Sequence, residues 1–158
     1  MNKLKVGLAS ALQPSFWGSK KEQFNKYYVP KLTELAQELE FELYIVKEPL
    51  ITWKDAEQAK KEIVDQGVDF LLIQLSTFAG GDVIEPVAES GIRLGLWGIP
   101  ELASDGPIPL NSFCGINMYM SIIGQYTNKN IKSKWFYGDV TDELFINRLI
   151  VTIKALTA

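Results

Sequence analysis

The stretch that decides the fold is Asp69-Phe70-Leu71-Leu72-Ile73-Gln74-Leu75. It is apolar at nearly every position instead of alternating, the pattern of a strand covered on both faces. Its one polar interior member, Gln74, must be paired, because burying an amide without partners costs on the order of 1–3 kcal/mol. The partner is either the protein's own structure or something in an adjoining cleft.

Outward from this strand, apolar runs alternate with helical patterns. On the N-terminal side, Gly67 closes a helix that Thr52 and Asp55 open. Residues 41–46 (FELYIV) are β-branched and aromatic, hence strand. Between about Ser19 and Glu40, Phe24, Tyr27, Tyr28, Leu32, Leu35 and Leu39 mark one helical face. Ser19 with Glu22 resembles a capping box, and Pro30 predicts a kink or a split in that helix. Residues 4–9 (LKVGLA) read as the first strand.

On the C-terminal side come a short helix within 81–89, a strand over 92–99 and a long loop from Pro100. A helix over about 111–126 follows, with Asn111 as its N-cap, then a strand over 134–137 (KWFY). Thr141 is the expected N-cap of a last helix carrying Phe145, Leu149, Ile150, Ile153 and Leu156. That pattern is still running at Ala158: either it is a docked terminal helix or, the favoured expectation, the chain is cut from a longer protein.

Alternating strands and helices imply right-handed βαβ crossovers. The expected fold is α/β: a five-stranded parallel sheet with helices on both faces, Rossmann-like or flavodoxin-like, in strand order 2-1-3-4-5. Its switch point lies between the first and third strands, where ligands gather at the carboxyl ends. Loops 10–20 (SALQPSFWGSK) and 76–82 (STFAGGD) flank that point, with the loop from Pro100 beside them.

Composition narrows the function. A chain of 158 residues fits one domain. Its formal net charge of −3 leaves nothing to neutralise phosphates, so no nucleic acid is expected, and Lys129, Lys132 and Lys134 read as a solvated loop. No apolar run approaches the roughly 20 residues that span a bilayer, so no membrane partner is expected. The single cysteine, Cys114, fits a reducing cytoplasm and reads as a buried structural thiol. With no histidine, neither a Ser-His-Asp triad nor a His-containing metal site can be built. The glycine fingerprints of dinucleotide and nucleotide-triphosphate sites are also missing.

The candidate site residues each carry two readings. Phe16 and Trp17 either line a ligand or cover the sheet end or a subunit contact. Gln13 bonds either a ligand hydroxyl or its own loop. The segment 76–81, with paired glycines, is an anion nest or a simple turn. Glu101 and Asp105 are the paired carboxylates of the long loop, placed to bind a cation or, for Glu101, to hydrogen-bond or exchange a proton. Asp105-Gly106-Pro107 reads first as a turn. No catalytic residue and no metal ligand is assigned.

Leu96-Trp97-Gly98-Ile99-Pro100-Glu101, Ser104-Asp105-Gly106-Pro107, Pro109-Leu110-Asn111-Ser112 and Cys114-Gly115 resemble the L-fucose/L-arabinose isomerase-like sugar isomerases. Lys5-Val6-Gly7-Leu8 and Lys134-Trp135-Phe136-Tyr137-Gly138 are similar to that family as well. The resemblance implies that residues 1–140 form an N-terminal Rossmann-like domain and that 141–158 lead toward a second, missing domain. It implies a metal-dependent aldose–ketose isomerase of carbohydrate metabolism, acting on a monosaccharide. Manganese, or another divalent metal, and the acid–base residues would lie in later domains, leaving this part inactive alone. It also implies a homo-oligomer in which Phe16, Trp17, Phe78 and Trp97 contact substrate at a neighbouring subunit's site. The alternative is a non-catalytic carbohydrate- or small-molecule-binding α/β module; a flavodoxin-like electron carrier is a third.

Overall fold

The computed structural model describes residues 3–16, 20–101, 103, 105–125 and 130–158. Trp17, Gly18, Ser19, Ser104, Tyr126 and Lys129, which figure in the expectations above, lie outside the described residues.

The chain runs β1 (Lys5–Ala11), α1 (Lys20–Gln23), a π-helical turn (Phe24–Tyr28), α2 (Val29–Glu38), β2 (Glu42–Ile45) and α3 (Trp53–Asp65). It continues through β3 (Phe70–Leu75), a 3-10 turn (Gly81–Val83), α4 (Ile84–Glu89), β4 (Arg93–Gly98), α5 (Ser112–Gln125), β5 (Ser133–Tyr137) and α6 (Glu143–Thr157). All strand pairs are parallel, in the order β2-β1-β3-β4-β5. This is a Rossmann-like α/β fold, and β3, buried at every residue, is its centre.

The two-residue period of each strand separates two cores. On one face Ala9, Ala11, Leu71, Ile73, Leu75, Leu94 and Leu96 pack with Ala59 and Ile63 of α3, Val87 of α4 and Ile116 of α5. On the other, Leu8, Phe70, Leu72, Trp97 and Phe136 pack with Phe24 and Tyr28, Leu32 of α2, and Phe145 and Leu149 of α6. Residues 143–157 thus belong to the same core as the sheet. On the second face Gly95 lies beneath three side chains: a Cβ there would stand 2.5 Å from the Phe70 ring, 2.8 Å from Leu72 and 2.9 Å from the Phe136 ring.

Local chemistry explains the element boundaries. Thr52 and Asp55 form a reciprocal capping box, and Gly67 follows α3 at φ +66°. Pro30 splits its helix in a specific way. A proline ring clashes with the carbonyl four residues back. Here the preceding turn widens to a π-turn, with Val29 N–H bonded to the Phe24 carbonyl, and Pro30 sits in the first turn of α2.

Two sequence readings need correction. The cap of the last helix is Asp142, not Thr141; the N–H and hydroxyl of Thr141 instead donate to Asp139 Oδ2 at 3.0 and 2.7 Å. Cys114 is exposed rather than buried. The inward residues of α5 are Ser112, Gly115, Ile116, Tyr119 and Ile123, and Cys114 falls outside that stripe.

At the border strand β5, Arg148 Nε donates to the Trp135 carbonyl at 2.8 Å, and its guanidinium lies 3.9 Å from the centre of the Trp135 ring. Among the described residues no helix is long and apolar enough to cross a membrane.

Candidate functional site

The parallel register sets Ser10 of β1 beside Gln74 of β3, at the carboxyl ends of both strands. Both side chains share the face that carries Leu8, Leu72 and Trp97. Ser76 Oγ, just beyond β3, donates to Gln74 Oε1 at 2.7 Å and lies 2.7 Å from Ser10 Oγ. Because Ser76 has one hydroxyl proton and gives it to Gln74, Ser10 is the donor to Ser76. The result is a buried relay, Ser10 to Ser76 to Gln74.

The relay stops short. Gln74 is 0% exposed and its Nε2 has no hydrogen-bond partner among the described residues. Turning the amide end for end only exchanges which atom lacks one. A polar atom in that position costs about 1–3 kcal/mol.

Above the relay the two flanking loops are clasped together. The backbone N–H of Gln13 donates to Thr77 Oγ1 at 2.8 Å, and Thr77 donates onward to the Phe78 carbonyl at 2.8 Å. The Phe16 and Phe78 rings stack, with centroids 5.8 Å apart and planes 30° from parallel. Gln13, Phe16 and Phe78 are therefore brought together. A cleft of about 10 Å3, room for about one water, lies beside Ser10, between Phe24 and Asn25 of the π-turn and Val46, Lys47 and Pro49 after β2.

The remaining candidates fall elsewhere. Trp97 was expected to contact substrate, but the register of β4 turns it inward, where it is 0% exposed. Its indole N–H donates to the Gly138 carbonyl at 2.8 Å, and its ring stacks on Phe145 at 4.3 Å. It packs beneath the site. Glu101 accepts from the backbone N–H groups of Leu110 and Asn111 at 3.0 and 2.7 Å, steadying Asn111 at φ +50°. Ser112 closes the same loop: it accepts from Ile99 N–H at 3.0 Å and donates to the Leu75 carbonyl at 2.6 Å. Glu101 is thus a clamp on the loop, while Asp105 is exposed.

Among the described residues no three His, Cys, Asp or Glu side chains stand together to hold a metal ion. The 76–81 segment is a turn into α4. Gly80 is at φ −59°, ψ 144°, and its carbonyl accepts from the Tyr119 hydroxyl at 3.0 Å.

Sequence reasoning missed a second polar knot at this end of the sheet. The Tyr27 hydroxyl donates to Asp139 Oδ2 at 2.8 Å, tying the π-turn to the β5–α6 loop. Burial pushes the Asp139 carboxyl up, but hydrogen bonds from Thr141, Tyr27 and Tyr28 outweigh it and hold it below the usual carboxylate range. The bond to Asp139 raises Tyr27, and burial raises Tyr28. Tyr27 and Tyr28 lie in an apolar helical stripe, and nothing in that stripe marks a carboxylate so distant along the chain. For Ser10 a signal existed: a hydroxyl at the end of an apolar strand, opposite the one amide of β3.

No family model matches this chain, and no curated protein matches it significantly. Among solved structures it is similar to a GDP-L-fucose synthetase from Naegleria fowleri, at 7% identity and a TM-score of 0.47, over 87% of this chain and 49% of that one. The chain thus spans about half the length of that structure. The resemblance to the L-fucose/L-arabinose isomerase-like enzymes is corrected accordingly: no family model and no curated protein that could carry an isomerase assignment matches this chain.

Proposed function

We propose that this chain is a non-catalytic α/β module that binds a small, neutral, hydroxylated molecule of the monosaccharide class at the carboxyl ends of β1 and β3. The observation that carries this reading is the buried Gln74 amide, which ends the Ser10–Ser76 relay with one polar atom unpartnered. A ligand hydroxyl reaching the relay satisfies that amide and reads its donor–acceptor order. The stacked Phe16 and Phe78 rings supply an apolar surface for the C–H face of a sugar ring.

Binding is favoured over catalysis because neither relay serine meets a base. Ser10 and Ser76 bond each other and an amide, none of which activates a hydroxyl as a nucleophile. The isomerase activity and the manganese expected with it rested on the withdrawn resemblance and lose that ground. The single cysteine supports a cytoplasmic home.

The test is thermal denaturation and calorimetric titration against a panel of aldoses, ketoses and polyols. A ligand held at a hundredfold its Kd adds about 2.7 kcal/mol, which raises Tm by roughly 5–10 °C in a chain of this size. Gln74→Met is expected to fold and to lose the shift. A panel with no responder, or a responder indifferent to Gln74→Met, rejects the reading.

A further inference from the structure

At the opposite end of the sheet, where β3, β4 and β5 begin, the last turns of α6 leave a groove of about 190 Å3. Its apolar lining includes Phe70 and, on α6, Val151, Ala155 and Leu156, and its rim carries Arg93, Lys132 and Lys134. No carboxylate among the described residues lines it. Among the described residues none of the three rim cations makes an ion pair, although the chain as a whole is acidic, with a net charge of −3. The Lys134 ammonium rests on neutral oxygens: it donates to Thr152 Oγ1 at 2.8 Å and to the Arg148 carbonyl at 3.3 Å. Val151 is 59% exposed over the floor.

Size and charge together select the occupant. Small-molecule pockets run from roughly 300 to 1,000 Å3, so this groove is sized for an anchoring side chain rather than a whole ligand. An apolar anchor inside a charged rim is the usual layout of a peptide-docking site. Unpaired cations around it favour negative charge on the incoming chain and disfavour positive.

We propose that this groove docks an acidic segment of a partner protein, seating one large apolar side chain against Val151, Ala155 and Leu156 while flanking carboxylates meet Arg93, Lys132 and Lys134. The interaction is independent of the ligand proposed at the carboxyl ends of β1 and β3.

The test is fluorescence anisotropy of the whole chain with a labelled short peptide, a central Leu-Phe pair flanked by aspartates and glutamates. The acidic probe is expected to bind, and to bind at least tenfold more tightly than the same peptide flanked by lysines. Val151→Asp, which leaves the buried core untouched, and the charge reversal R93E with K132E are each expected to weaken binding at least tenfold. Raising the salt from 50 to 500 mM acts in the same direction. Gln74→Met is expected to bind the probe like the parent. No binding of the acidic probe overturns the proposal, as does equal binding of the lysine-flanked probe or indifference to both groove variants. Octanoate displacing the peptide at lower concentration reassigns the groove to a small carboxylate. A self-associated chain that Val151→Asp makes monomeric reassigns it to a second copy. Either result overturns the proposal.

Discussion

The two faces of the sheet solve the same packing problem with different materials. The face under α3, α4 and α5 is almost wholly aliphatic, with Tyr119 and Ser112 of α5 as its buried polar side chains and Tyr44 and Tyr137 at its margin. The face under α2 and α6 is built around rings: Trp97 on Phe145 at 4.3 Å, Phe136 near Phe145 at 6.0 Å, and Phe70 near Phe136 at 6.1 Å. Tyrosine and tryptophan bring an O–H or N–H that needs a partner when buried. Here those partners, the Gly138 carbonyl and Asp139, gather at the carboxyl end of the sheet beside the Ser10–Ser76–Gln74 relay. An aliphatic face is free to stay dry throughout; an aromatic one admits polar groups where its rings end.

The sharpest way to break this contrast is a pair of neighbouring truncations on opposite faces. Trp97→Ala removes the stacked indole and is expected to cost about 4 kcal/mol or more, against about 3 kcal/mol for Leu96→Ala, both measured by urea unfolding. Equal losses dissolve the distinction. A pair of glycines sharpens it. Gly95→Ala drives a methyl into the Phe70 and Phe136 rings, an overpacking cost of about 2–3 kcal/mol. At Gly7 a methyl meets only the tips of Leu71 and Val68 at 3.0 Å, so Gly7→Ala is expected within about 1 kcal/mol of the parent. The smallest effect concerns pH. Because Asp139 is held below the usual carboxylate range in the fold, its contribution is present above that range and fades as pH falls through it. Asp139→Asn is expected to cost about 1 kcal/mol at pH 7, with the difference from the parent shrinking as pH falls below the usual carboxylate range.

The sheet was legible because its signals are local and redundant. An unbroken apolar run at β3, the Thr52 and Asp55 cap and the glycine after α3 each say the same thing about nearby backbone. Pro30 announced a break, but its form depends on where Phe24 and Tyr28 must land on the sheet, which is a tertiary requirement. Site residues were harder for the same reason. Trp97 and Phe78 look alike in sequence, yet register buries one in the core and lifts the other into a loop. Glu101 reads as a reactive carboxylate until the backbone N–H groups it clamps are in view. Gln74 was the exception: one amide in an apolar run asks its question in the sequence, and Ser76 answers half of it.

The arginine laid across Trp135 has a consequence for assembly. β5 forms an open border of the sheet, and a border strand with free carbonyls is a template on which another strand can grow. Arg148 already occupies the carbonyl at the middle of that strand and lies over the adjoining indole. Any invading strand must first dislodge a stacked guanidinium, so this border guards itself against fibrillar extension.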